Sequence, residues 1–217
     1  MTAPPAVAPI VGRVDHLVYA TADLERTSDE VEQRFGVRAS PGGQHPGRGT
    51  RNVLIALGPM CYMEIVGPDP AQPRPATPRW FGTDTLTEPR LVAWAAHGTD
   101  LSRVVSEASR RGVQLGEVGV GRRKRLDGLE LVWQFTNPTT VVGDGLIPFF
   151  IDWGASPHPS ATAAAGPSLV DLHCEHPDPQ WVLGMLGALG ITMRVTHAAH
   201  PSLVATLNTH DGLQQLR

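Results

Sequence analysis

The chain is short of cysteine, of charge and of long apolar runs, and each shortage removes a class of protein. Cys61 and Cys174 are the only cysteines in 217 residues, too few for a disulfide scaffold and in keeping with a reducing cytoplasm. Charged residues make up 18% and the formal net charge is −3, so no broad basic surface argues for nucleic acid. The one basic run, Arg122-Arg123-Lys124-Arg125, reads as a solvated hairpin arm. No apolar stretch reaches membrane-spanning length, and the start Met-Thr-Ala-Pro-Pro lacks the charged-then-apolar order of a signal peptide. A Gly-x-Ser-x-Gly elbow, a phosphate loop and a dinucleotide fingerprint are also missing, which leaves no sequence basis for a serine hydrolase or a nucleotide enzyme. The expectation is a cytoplasmic globular protein with neither a nucleic-acid nor a membrane partner; a homodimer stays open.

What the chain does have is 23 glycines and 20 prolines, which punctuate it into short elements. Residues 1–11 read as a disordered Pro/Ala-rich tail. Val14 to Ala20 has the β-branched and aromatic content of a strand. Asp23 then caps a helix over 24–35 that Gly36 ends. Residues 41–50 hold four glycines and two prolines and read as a loop. Arg51 to Leu57 and Met60 to Val66 read as strands either side of Gly58-Pro59.

A Pro-rich connector, 67–78, leads to Trp80-Phe81-Gly82, too aromatic for a free linker. The pattern then restarts. Leu91 to His97 reads as a strand, and Thr99-Asp100 caps a helix that stops at Gly112. Two strands flank the hairpin signal Asp127-Gly128, and Gly145 to Trp153 reads as one more. Asp23-Leu24 corresponds to Asp100-Leu101 at the two strand–helix junctions, which marks an internal repeat. After residue 160 come a strand at Leu169 to Cys174, a helix at Gln180 to Leu189, and strands at Ile191 to Thr196 and Leu203 to Leu207. No strong last strand is visible, so this part reads as a truncated third unit or a cap over a sheet edge. The expected division is 1–11, then paired units at 12–67 and 90–154 within 12–160, then 161–217.

Two polar residues sit oddly. Side chains alternate along a strand, so His16 shares a face with Val14 and Val18, and Glu64 one with Tyr62 and Val66. A buried carboxylate without a partner costs several kcal/mol or shifts its pKa, so Glu64 needs a histidine, an arginine, a metal or a ligand beside it. His16 reads either as a site residue or as a core-edge histidine bonded to a carboxylate. His45, in a glycine-rich loop where backbone approaches a ligand closely, is a candidate general acid/base or a plain surface histidine. Asn52 and Arg51 point to opposite faces, and Asn52 is the choice for a polar substrate contact. Trp80 and Trp133 are candidates for an apolar substrate wall, with core packing as the alternative. His173, His176, His197, His200 and His210 show no zinc spacing and read as surface or structural.

Repeated βαβββ units with polar groups on their first and last strands resemble the vicinal oxygen chelate superfamily, and more narrowly its glyoxalase-like domain proteins. The residues that carry the likeness are Asp15-His16-Leu17-Val18-Tyr19, Gly42-Gly43-Gln44-His45-Pro46-Gly47 and Tyr62-Met63-Glu64-Ile65. Pro148 to Gly154 and Ser156-Pro157-His158-Pro159 add to it. The resemblance implies an α+β fold in which two units pair into an open barrel-like sheet around a divalent metal. It assigns His16 to the first-strand ligand position, Glu64 to the last-strand position and Asp152 to that of the second unit. The fourth corner falls on Ala93, which cannot bind a metal. It further implies a lyase, isomerase or dioxygenase that uses Mn²⁺, Fe²⁺, Zn²⁺ or Mg²⁺ on a small, partly apolar, oxygen-bearing molecule, with Glu64 or His45 moving a proton. Ala93 keeps a second reading open, a metal-free binding protein like the bleomycin-resistance branch.

Overall fold

The computed structural model describes residues 10–124 and 128–217; residues 1–9 of the tail expected at 1–11, Arg125 of the basic run and Asp127 of the expected hairpin turn lie outside them. The first unit is β1 (Val14–Ala20), α1 (Leu24–Phe35), β2 (Ser40–His45), β3 (Thr50–Gly58) and β4 (Cys61–Pro68). The second is β5 (Arg90–His97), α2 (Leu101–Arg110), β6 (Val118–Lys124), β7 (Glu130–Thr136) and β8 (Phe149–Asp152). Both helices start where a local cap permits. The Asp23 carboxylate accepts the Arg26 N–H at 3.1 Å, and that of Asp100 accepts the Arg103 N–H. Gly36, at φ 69°, ends α1 in the left-handed region.

The two units share one sheet in the order β2-β3-β4-β1-β5-β8-β7-β6. Each first strand runs parallel to the last strand of its own unit, and β1 joins β5 antiparallel. The sheet curls until its two edges nearly meet, with Arg123 of β6 lying against Gly43 of β2. The expected paired α+β architecture is present. Its convex side carries the main core, where Leu17, Met63, Ile65 and Trp94 meet Leu24, Val31 and Phe35 of α1 and Leu101 of α2. Its concave side holds two smaller apolar clusters, around Trp153 and around Val18.

Several expectations change. The glycine-rich segment is not a loop up to His45: residues 40–45 form an edge strand on β3, and only 46–49 turn. Pro41 is tolerated there because an edge strand has one unpaired side, and a register shift between Pro41 and Gly43 absorbs the irregularity. Regular strand structure near Trp153 is confined to Phe149–Asp152, preceded by a short helical turn at Gly143–Gly145. Ile10 and Val11 belong to a helical turn, Ile10–Arg13, and pack against the core. The Pro-rich connector is pinned to the β2–β3 turn: Gln72 donates to the Thr50 carbonyl and Arg79 to the Gly49 carbonyl.

The C-terminal part contains β9 (Ala164–Ala165), which pairs with β3, then β10 (Ser168–His176), α3 (Pro179–Ala188), β11 (Val195–His197), β12 (Ser202–Thr209) and β13 (Gly212–Leu216). It keeps the strand–helix–strands order and gains a last strand that its sequence did not announce. Its pairing differs from the barrel units, with β10 between β11 and β12 in the order β11-β10-β12-β13. One face of this sheet, with Leu172, Cys174, Leu203 and Leu207, closes the convex core. The segment expected to be a strand from Ile191 is regular only at Val195–His197; Ile191 and Met193 are buried in that core instead. Among the described residues, no helix is long and apolar enough to cross a membrane.

Candidate functional site

The concave face encloses a cavity of about 380 Å³. A β-bulge shapes its floor. Val14 pairs with Ala96 but His16 with Ala95, so Asp15 is an extra residue in β1. Strict alternation would give His16 the face of Val14. With the bulge, Val14 joins the convex core while His16 lines the cavity, on the side of Val18.

Glu64 is 6% exposed and paired in register with Val18 on one side and Leu54 on the other. Its Oε1 accepts the Asn52 amide at 2.6 Å and lies 3.5 Å from His45 Nε2. Its Oε2 lies 3.8 Å from His16 Nε2. Both imidazoles are oriented from behind. His16 Nδ1 is 2.7 Å from Asp15 Oδ1, and His45 Nδ1 is 2.9 Å from Thr50 Oγ1. Donation from those Nδ1 atoms leaves each Nε2 lone pair facing Glu64 and the cavity. Burial lowers the pKa of His45, against an upward pull from Glu64, and Arg123 lowers it further. Its neutral form is therefore favoured, and its Nε2 lies 3.3 Å from the Asn52 amide nitrogen. Gly42 is required for this arrangement, because a β-carbon there would stand 2.1 Å from Asn52 Oδ1.

Asp15 is fully buried and works as a hub behind the floor. His97 Nδ1 lies 2.9 Å from its Oδ2, His158 Nε2 3.3 Å from the same oxygen, and Trp153 Nε1 donates at 3.1 Å. Burial alone would raise this carboxyl, but hydrogen bonds from His158, His16 and His97 outweigh it and hold it far below the usual carboxylate range. Asp15, His97 and His158 bring three potential ligand atoms within 4.8 Å of one another. The Ser160 N–H donates to His158 Nδ1 at 3.2 Å, however, which puts the proton on Nε2, where it bonds Asp15. With four ring nitrogens, those of His16, His97, His158 and Trp153, turned on one carboxylate, this cluster supports His16 through hydrogen bonds.

The structure thus brings His16, His45, Asn52 and Glu64 together, and Trp80 and Trp133 line the same cavity. Asp152 is not brought there. Ile151 and Trp153 line the cavity, so alternation turns Asp152 outward, where its carboxylate accepts the Gly154 N–H at 2.9 Å. The ligand position that the resemblance gave to Asp152 is corrected: a strand-end cap occupies that register. The facing strands contribute Ala93, Ala95, Phe149 and Ile151, none of which can ligate.

Tyr62 was not anticipated. It is 5% exposed, stacks on His16 at 4.6 Å between ring centroids, and burial raises its pKa well above the ordinary phenol value. It therefore stays a phenol, able to donate. Arg123 was set aside with the basic run, yet it lines the cavity and reaches Asn52 Oδ1 at 3.4 Å. Phe81 lines the cavity from a left-handed backbone conformation, φ 60°, costly for an aromatic residue and typical of ligand-binding segments.

A family model described as a glyoxalase-like domain matches residues 14–190. No curated protein matches the sequence. Among solved structures, a hypothetical protein from Staphylococcus aureus is similar over 87% of both chains at 16% identity, with a TM-score of 0.63. Methylmalonyl-CoA epimerase from Mycobacterium tuberculosis is similar over 72% of this chain and 97% of its own, at 16% identity and a TM-score of 0.44. A Streptomyces coelicolor methylmalonyl-CoA epimerase in complex with 2-nitronate-propionyl-CoA covers 68% of this chain and 98% of its own, at 17% identity and a TM-score of 0.43.

Proposed function

The chain belongs to the glyoxalase-like domain family, and from that premise we propose that it is a lyase or isomerase of the vicinal oxygen chelate type. The observation that carries the reading is the convergence of two histidine Nε2 atoms on the two oxygens of Glu64, at 3.5 and 3.8 Å, on the floor of an aromatic cavity. Two donors each about 2.0–2.2 Å from a shared ion stand about 3.0–3.5 Å apart at octahedral or tetrahedral angles. His45 Nε2 stands within that range of Glu64 Oε1 and His16 Nε2 just beyond it from Oε2, so an ion held by Glu64 with one of these histidines fits; among the described residues, the three ligand atoms that lie within 4.8 Å of one another are those of Asp15, His97 and His158. An ion held by Glu64 would supply Lewis-acid polarisation of a carbonyl or enolate oxygen.

The chain's own groups do the rest. Asp15 fixes the His16 tautomer, and the Asn52 amide, which donates toward His45 Nε2, fixes that of His45, so both rings are held in place. Glu64 would take a proton from carbon next to a substrate oxygen and return it; His45 would do so where its Nε2 holds no ion. Tyr62 stays protonated and offers its hydroxyl to the oxygen on which charge develops. Trp80, Trp133 and Phe149 exclude water from the reacting face.

A metal-free binding protein remains the second reading, favoured by Ala93, Ala95, Phe149 and Ile151 on the facing unit. Metal analysis of protein purified without chelator, followed by thermal shift with Mn²⁺, Fe²⁺, Zn²⁺ and Mg²⁺, separates the two. An ion at a hundred times its Kd raises stability by about 2.7 kcal/mol. Bound metal and a shift that His16→Ala removes support the enzyme; no metal and no shift with any of the four ions leave the binding protein.

A further inference from the structure

We propose that the cavity takes a flat organic carboxylate, whose anionic end meets Arg123 and whose apolar body lies between the aromatic walls. The inference rests on the cavity being the functional site and adds the class of molecule that fills it. It starts from the polar groups the protein leaves unpaired. Among the described residues, four buried side-chain nitrogen or oxygen atoms have no hydrogen-bond partner, and two of them, Trp80 Nε1 and Arg123 Nε, belong to residues lining this cavity. Both are donors only.

Some acceptors of the site are engaged: Glu64 Oε1 and His45 Nε2 meet the Asn52 amide, and Asn52 Oδ1 meets Arg123. Trp80 Nε1 and Arg123 Nε are both closed off from the cavity, so a ligand would meet the Arg123 guanidinium through its other N–H groups. Charge points the same way. Arg123 has no acidic partner among the described residues, and its one hydrogen bond, at 3.4 Å, is long. Arg48, also without an acidic partner there, lies 4.6 Å from the Trp80 ring centroid at the same end. The position of Arg123 is built rather than incidental, since a β-carbon at Gly43 would stand 2.6 Å from its Cδ.

A guanidinium fork matches the planar carboxylate, and aromatic walls match a planar body. A volume of about 380 Å³ suits an acid of one or two rings.

The test is calorimetric titration of the full chain, in chelator-containing buffer, with 1-naphthoate, with the neutral isostere 1-naphthamide and with 1-naphthyl phosphate. Naphthoate should bind at least about tenfold more tightly than the amide, as expected for charge-assisted hydrogen bonds. Arg123→Gln should erase that difference while leaving the amide within about twofold; Arg48→Gln, on the surface, should reduce it less. Equal affinity for acid and amide overturns the inference, and so does a preference for the phosphate or an unchanged preference in Arg123→Gln. Because the titration needs neither metal nor turnover, a failed metal assay with intact naphthoate preference removes the reaction alone, and the converse removes the ligand class alone.

Discussion

The two units of the barrel share an order of elements and little else. On its concave face the first presents His16, His45, Asn52 and Glu64; the second presents Ala93, Ala95, Phe149 and Ile151, with Trp133 and Trp153 beside them. The backbone repeats because pairing β1 against β5 demands two compatible edges. The side chains do not repeat, because once one floor holds the polar groups, the other is free to be a wall. The result is a cleft with two histidines and a carboxylate on one side and, apart from Arg122 and Arg123 of the edge strand, an apolar surface on the other. An ion held here would rest on one unit and keep more positions open than a site with ligands from both.

The largest expected effect of breaking this asymmetry is at its polar pole. Glu64→Gln keeps an acceptor for Asn52 but loses the charge, and should weaken ion binding by at least about a hundredfold in a metal titration. An unchanged affinity would show that the polar unit is not the ligating one. An intermediate effect lies where the units touch. Trp153 of the second unit donates to Asp15 of the first at 3.1 Å, so Trp153→Phe leaves a buried carboxylate one donor short. It should lower stability by about 1–3 kcal/mol in urea denaturation; no loss would mean that the histidines alone satisfy Asp15. The smallest effect is at Asp152, which faces away from the cavity. Asp152→Ala should leave ion affinity unchanged and stability within about 0.5 kcal/mol by the same two measurements. A lost metal shift would return Asp152 to the ligand set.

How legible the molecule was in its sequence follows from the range of the forces involved. The helix at Leu24–Phe35 was readable to the residue, because Asp23 and Gly36 act on backbone groups within four residues of themselves. The strand at Ser40–His45 was not, because its glycines and prolines lower strand propensity and only the partner strand β3 overrules them. The helical turn at Trp80 was legible as something anchored, from aromatic content alone; the cavity it borders was not.

Among the site residues, the need of Glu64 for a partner was a local deduction from burial, but its partners come from three strands. The wrong neighbour for His16 came from assuming unbroken alternation, which a bulge set by pairing with β5 overturns. Asp152 erred for the complementary reason: strand β8 keeps its alternation, and Ile151 and Trp153 claim the cavity face. Arg123 looked like one more surface charge until the curl of the sheet carried it over Gly43. Composition, caps and the repeated order of elements were thus determined by the sequence itself, since they depend on contacts a few residues apart. Register, bulges and the closure of the sheet were decided only by tertiary structure, because those depend on strands far apart in the chain choosing one another.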